Sequence, residues 1–220
     1  VLHGGRGRAS FVDAHVELTR KLIAACAAAR IGRYVHMSAL GADVDGPSEY
    51  QRTKGAAEAL VRASSLAWTI FRPSVVFGRD DRFLNLFARL LRWSPVVPLA
   101  CAQARFRPVF VEDVAQAFAR CLGDVGAIGQ SYDLCGPREY TLREIVAWVG
   151  AATGHRRPVF GLGPMLSNLQ ALALEFAPGK LMSRDNVRSM RVANVSDARF
   201  PFGIQPAALE AVAPAWLEIG

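Results

Sequence analysis

The chain has 220 residues, about half of them hydrophobic, which is enough to bury a sizeable core in one domain with at most a small appendage. Its 26 basic and 19 acidic residues give a formal charge of +7, spread along the sequence without a block of like charge. That excess tolerates an anionic ligand or an acidic surface. The absence of a basic stripe with interleaved aromatics, or of a helix-turn-helix signature, argues against nucleic acid.

Four cysteines (Cys26, Cys101, Cys121, Cys135) stand far apart in apolar contexts, with no C-x-x-C and no histidine pair at metal-ligand spacing. They read as small core residues in a reducing compartment, and no metal is expected. The least charged stretch, 159–177, is broken by Gly161, Gly163, Pro164, Asn168 and Glu175, so it does not read as a transmembrane span.

In chain order the elements alternate between helix and strand, which predicts an α/β fold with a parallel sheet. Val12, Val16, Thr19, Ile23 and Cys26 recur at helical spacing, with Leu22 widening the face. A strand over 33–38 follows Gly32. A loop through Gly46-Pro47 then leads into an alanine-rich helix over about 48–64. Residues 67–71 read as a strand ended by Arg72-Pro73, followed by helices over about 82–93 and from 112 to before Gly123. A last strand covers 131–135, and Thr141-x-x-Glu144 reads as a capping box opening a helix that stops at Gly154. From Arg156 onward six prolines separate short segments, which predicts a mostly helical C-terminal subdomain over 156–220 appended to a Rossmann-like domain over 1–155.

The informative segment runs from Ser38 to Lys54. Tyr50 and Lys54 are four apart on one helix face. An ammonium beside a phenol favours the phenolate, so Lys54 is expected to lower the Tyr50 pKa and ready it for the proton that accompanies hydride transfer at a carbonyl carbon. By itself the pair is a weak signal, because such spacing is common on solvated helices. Ser38 closes the preceding strand, and Arg72-Pro73-Ser74-Val75-Val76-Phe77-Gly78 closes the next one. In open α/β sheets ligands bind beyond the carboxyl ends of the strands, where these pieces converge.

The segments Tyr34–Ala42, Ser48–Glu58 and Phe71–Gly78 resemble extended or atypical short-chain dehydrogenases. With Gly78–Asn85, Arg107–Ala115, Tyr132–Glu144 and Leu181–Val187, the whole chain resembles bacterial relatives of the nucleotide-binding accessory subunit of respiratory complex I, the alpha-subcomplex subunit nine family.

The resemblance implies an NAD or NADP site. Tyr50 would be the acid/base, Lys54 its partner and a ribose ligand, and Ser38 the accompanying hydroxyl. Pro73, Val75, Val76 and Phe77 would form the loop against the nicotinamide. In many relatives the working hydroxyl sits one place further on, at Ala39 here, which weakens the case for catalysis but leaves binding intact. Val1–Gly5 resembles the end of the family's fourth strand, and Gly4 is counted with the cofactor-binding residues on that basis. Gly4-x-x-Gly7-x-x-Ser10 lacks the full preceding strand of a phosphate loop.

The expected architecture is therefore a doubly wound parallel sheet whose first strands are absent. The leading function is NAD(P)(H) binding within the short-chain dehydrogenase and epimerase/dehydratase superfamily, with oxidoreductase chemistry through Tyr50 and Lys54. The rival is a non-catalytic accessory or assembly protein of a respiratory or quinone-related complex that holds nucleotide structurally. Expected partners are a nicotinamide nucleotide and either a respiratory complex or a second copy at the open sheet edge. The expected location is cytoplasmic, or peripheral to the inner membrane.

Overall fold

The computed structural model describes residues 10–176 and 181–217. Gly4 lies outside them. A π-helical turn over Val12–Glu17 runs directly into α1 (Leu18–Ala28). Next come β1 (Arg33–Met37), α2 (Glu49–Arg62), β2 (Ala67–Pro73), β3 (Val76–Phe77), α3 (Leu84–Trp93) and β4 (Val97–Leu99). The middle of the chain holds β5 (Arg105–Phe106), β6 (Val109–Phe110), α4 (Val111–Leu122), β7 (Gln130–Leu134), β8 (Tyr140–Thr141) and α5 (Leu142–Ala152). The C-terminal part supplies β9 (Val159–Gly161), α6 (Pro164–Phe176), α7 (Arg184–Ser189), α8 (Leu209–Val212) and α9 (Pro214–Leu217).

The main sheet among the described residues is β1-β2-β7, parallel throughout. β2 is its centre, and Thr69, Ile70 and Phe71 are fully buried, as expected of a parallel strand covered on both faces. Side chains alternate. Phe71 packs on Phe118 of α4 with ring centroids 4.7 Å apart, whereas Trp68 and Arg72 face α2. Helices on both faces make the sheet doubly wound, as the sequence predicts. The register sets Met37 beside Phe71 and Pro73 beside Leu134, so β2 and β7 end at one level and β1 two residues short of it.

A second core lies beyond those strand ends. Leu84, Phe87 and Leu91 of α3 meet Ile145, Val146 and Val149 of α5, and Leu209, Ala213 and Leu217 close over them. The segment after Arg156 carries the short helices α6 to α9 between irregular stretches, and its strand β9 pairs with β4. The capping box opening α5 forms with both hydrogen bonds, and Gly154 beyond its end has φ of +72°.

Candidate functional site

Ser38 sits just past β1, its amide donating to the Phe71 carbonyl at 2.7 Å. Its hydroxyl is buried without a hydrogen-bond partner, and the side chain of Ala39 beside it is buried too. A buried orphan hydroxyl costs free energy unless a ligand or water completes it, so Ser38 is suited to receive one.

The start of α2 is held from two directions. Ser48 Oγ accepts the Gln51 amide at 3.1 Å. The Asp185 carboxylate, from α7, accepts the amides of Glu49 and Tyr50 at 2.8 and 3.1 Å. Together with the Arg52 amide to the Ser48 carbonyl, these bonds satisfy the helix's first donors. The C-terminal part of the chain thus fixes the helix that carries Tyr50.

Tyr50, Lys54 and Glu58 follow one another at four-residue steps along α2. Lys54 Nζ donates to the Met37 carbonyl at the end of β1, at 3.1 Å, and burial pushes its pKa down while Glu58 pulls it up. The expected acidification of Tyr50 is not found. Phe11 and His15 stand edge-on to the phenol ring, with centroids 5.9 and 5.4 Å away, and burial pushes its pKa up to about 12. Desolvation of the phenolate outweighs the ammonium one turn away.

Glu58 closes the Ser48–Glu58 segment, and its spacing alone assigns it no role. It is 1% exposed and clamped by Arg72 of β2, whose Nε bonds Oε1 at 2.8 Å, while Arg62 reaches Oε2 at 2.7 Å. Burial alone would raise its carboxyl, but Arg72 first, then the nearby Ser38 hydroxyl and Arg62, outweigh it and hold it below the usual range. Ser38 Oγ lies close to the same carboxylate but outside hydrogen-bonding geometry.

The loop after β2 is equally constrained. Pro73 accepts the Leu40 amide at 2.9 Å, and Ser74 donates its amide to Leu134 at 2.9 Å. Asn194 was not singled out by the sequence. Its Oδ1 receives the Ser74 hydroxyl and the Val75 amide, at 2.6 and 3.1 Å, and its amide nitrogen reaches the Leu40 carbonyl at 3.4 Å. Of the loop residues expected to face a nicotinamide, Pro73 and Phe77 have buried side chains, and Val75 and Val76 are half-buried. Phe77 is in the core against Phe110, so its contribution to a ligand would be backbone.

Two buried histidines flank the site. His15 Nδ1 lies 2.9 Å from Thr53 Oγ1, whose proton goes to the Glu49 carbonyl, so Nδ1 carries the hydrogen. His36 has an unpartnered Nε2. Burial first, and then the Lys54 charge, push each pKa down to about 4, so both are neutral at neutral pH. Asp81 accepts amides of Gly78, Phe83 and Leu84 in the turn before α3, and Arg105 and Arg107 pair with Glu139 and Asp197. These are structural roles. Among the described residues no cluster of His, Cys, Asp and Glu is placed to hold a metal, and no helix is long and apolar enough to cross a membrane.

Residues 1–82 match a family described as NAD(P)H-binding. The chain is 32% identical over 212 residues to the mouse NADH dehydrogenase [ubiquinone] 1 alpha subcomplex subunit 9, covering 91% of this chain and 55% of that protein. The Arabidopsis thaliana subunit 9 is 37% identical over 139 residues, 62% of this chain and 35% of that one. The chain therefore spans about half the length of the mouse protein.

Among solved structures, a nucleoside-diphosphate-sugar epimerase from Staphylococcus aureus superposes with a TM-score of 0.70 at 13% identity, over 99% of this chain and 75% of that one. A Thermus thermophilus UDP-glucose 4-epimerase in complex with NAD superposes with a TM-score of 0.57 at 21% identity, over 82% and 70%. These two likenesses are of fold. The chain is therefore similar to complex I alpha-subcomplex subunit 9 over about half of that protein's length, carries an NAD(P)H-binding match over residues 1–82, and shares the fold of these epimerases.

Proposed function

We propose that this chain contributes the nicotinamide half of an NAD(P)(H) site at the carboxyl ends of β1 and β2. Lys54 and Ser38 are its polar contacts, and the backbone from Pro73 to Phe77, with Val75 and Val76, forms one wall. The observation that carries the reading is the buried, partnerless Ser38 hydroxyl at the strand end that Lys54 also reaches. An ammonium with two donors to spare beside an unsatisfied hydroxyl suits ribose hydroxyls and a carboxamide.

The lysine acts as a ribose ligand in this scheme, and Tyr50 as the group that faces the reacting carbon. With its pKa raised to about 12, Tyr50 is a poor base at neutral pH and can serve only as a proton donor. That and the buried Ala39 favour a nucleotide-holding accessory role, peripheral to a respiratory complex, over turnover.

Titration of NADH and NADPH fluorescence against the whole chain, Lys54→Ala and Tyr50→Phe tests this. The expected result is at least about tenfold weaker binding for Lys54→Ala, the loss of one charge-assisted contact, and near-normal binding for Tyr50→Phe. Equal affinity for all three would remove the reading.

A further inference from the structure

α6 packs the wrong way round for a helix of a closed globule. It buries Ser167 and Ala171 against the body and exposes its large apolar side chains: Met165 is 81% exposed, Leu169 60% and Phe176 83%. Helices normally turn such residues inward. Their spacing of four and then seven sets the three on one stripe, and Phe160 of β9, 58% exposed, adds to the apolar surface of the same C-terminal segment.

At the first turn of α6 opens a cavity of about 600 Å³. Ala102, Leu162, Val187 and Met190 give it apolar walls, and Arg143 and Arg191 stand at its lining. Neither guanidinium has a carboxylate within ion-pair distance among the described residues, unlike Arg62, Arg72, Arg105, Arg107, Arg138 and Arg184. Arg143 lies over Gly161, where a Cβ would come within 3.0 Å of its Nη2, so the glycine leaves room for the guanidinium at the cavity.

The described part of this C-terminal sequence is one-sided in charge, with Arg156, Arg157, Arg184, Arg188 and Arg191 against Glu175 and Asp185. Both acids are engaged, Glu175 with Arg184 and Asp185 with the α2 amides.

We propose that the cavity and the α6 stripe together form a docking site for an anionic phospholipid, with its phosphate at Arg143 and Arg191 and its acyl chains along Met165, Leu169 and Phe176. A phosphate supplies the acceptor oxygens that two unpaired guanidiniums lack, and hydrocarbon covers side chains that water now surrounds. Exposed apolar residues beside unpaired cations are how a surface helix recognises an anionic interface. The site is separate from the Tyr50 helix face, so its failure would leave the nucleotide reading standing.

The test is flotation of the whole chain with vesicles of phosphatidylcholine alone and with added phosphatidylglycerol. Binding is expected only with the anionic lipid. It should fall about 30-fold in Arg143→Gln/Arg191→Gln, two interfacial charges lost, and should also be lost in Leu169→Asp. Trp93→Ser, an exposed apolar residue on α3, should leave it unchanged, and circular dichroism confirms that each variant is folded.

Retained binding in the double arginine variant overturns the site. Binding that Leu169→Asp leaves intact overturns it as well, since that result means surface electrostatics alone. Inorganic phosphate that raises the melting temperature of the wild type but not of the arginine variant, without vesicle binding, assigns the cavity to free phosphate and rejects the lipid. A wild-type dimer that Leu169→Asp converts to monomer, without vesicle binding, assigns the stripe to a second copy and rejects the lipid too.

Discussion

The carboxylate of Asp185 receives the backbone amide of Tyr50, 135 residues earlier in the chain, at 3.1 Å. A capping interaction of this kind is worth about 1 kcal/mol, with some further gain from an anion at a helix N-terminus. Asp185→Ala should lower stability by about 1–2 kcal/mol, seen as a drop of roughly 2–8 °C in melting temperature. If the nucleotide site is formed as proposed, the same variant should weaken cofactor binding while Asp185→Asn recovers most of it. An unchanged melting temperature would mean that the helix start is satisfied without α7.

Glu58 bridges α2 and β2. Replacing it with Gln leaves Arg72 half-buried without its counter-charge, and the expected loss is about 2 kcal/mol, below the full cost of a broken buried pair because both arginines keep some solvent. Its folded pKa lies below the usual 4.5, so its contribution is present above that value and is lost as the pH falls through the lowered one. Urea unfolding of wild type and Glu58→Gln should therefore differ at neutral pH and converge on acidification. A pH-independent difference would contradict the charge pairing.

His36 has the opposite sign of pH dependence to an ion-paired histidine. Unfolded, it takes up a proton as the pH falls past about 6.5; folded, it resists until about 4. The unfolded state binds more protons in that window, so stability falls as the pH drops from 6.5 to 4, and His36 adds no pH dependence above it. His36→Gln should flatten this part of the curve, leaving the share that His15 contributes. Denaturant midpoints at a series of pH values read the effect directly. A slope as steep as wild type would show that His36 is not buried neutral.

Gly55 is an odd choice for a helix interior, where it costs about 1 kcal/mol relative to Ala. Its reason is contact. A Cβ there would come within 2.5 Å of the Asp43 carbonyl carbon and the Val44 nitrogen, both backbone atoms. Gly55→Ala should therefore destabilise by about 1–3 kcal/mol despite the better propensity, and should displace Lys54 beside it. A melting temperature equal to or above wild type would mean that the 43–44 loop yields freely.

Much of this fold was legible because it is written locally. The alanine-rich stretch of α2, the strand run of β2 and the Thr141–Glu144 box each sit within a few residues of the element they specify. The two-residue strands β3, β5, β6 and β8 were not read, because their pairing is a tertiary event with no period of its own. Asp185 and Asn194 escaped for the same reason, as single polar residues whose partners lie over a hundred positions away. The Tyr50–Lys54 spacing was read correctly, but the acidity inferred from it was not. Spacing reports proximity on a helix, and only the packing of Phe11 and His15 reports desolvation.

Asn194 also sets a schedule. Its contacts to Leu40 and Ser74 span 154 and 120 residues. Pairing so far apart in sequence carries a loop-closure cost and slows folding. A ribosome exposes residues from the N-terminus, so the Tyr50 helix and the first strands emerge long before the residue that ties their loops together. Until then the amide of Val75 and the hydroxyl of Ser74 have no Asn194 to meet, and the mouth of the sheet stays open to proteases and chaperones. Premature chain release would leave a recognisable Rossmann-like sheet with an unassembled site.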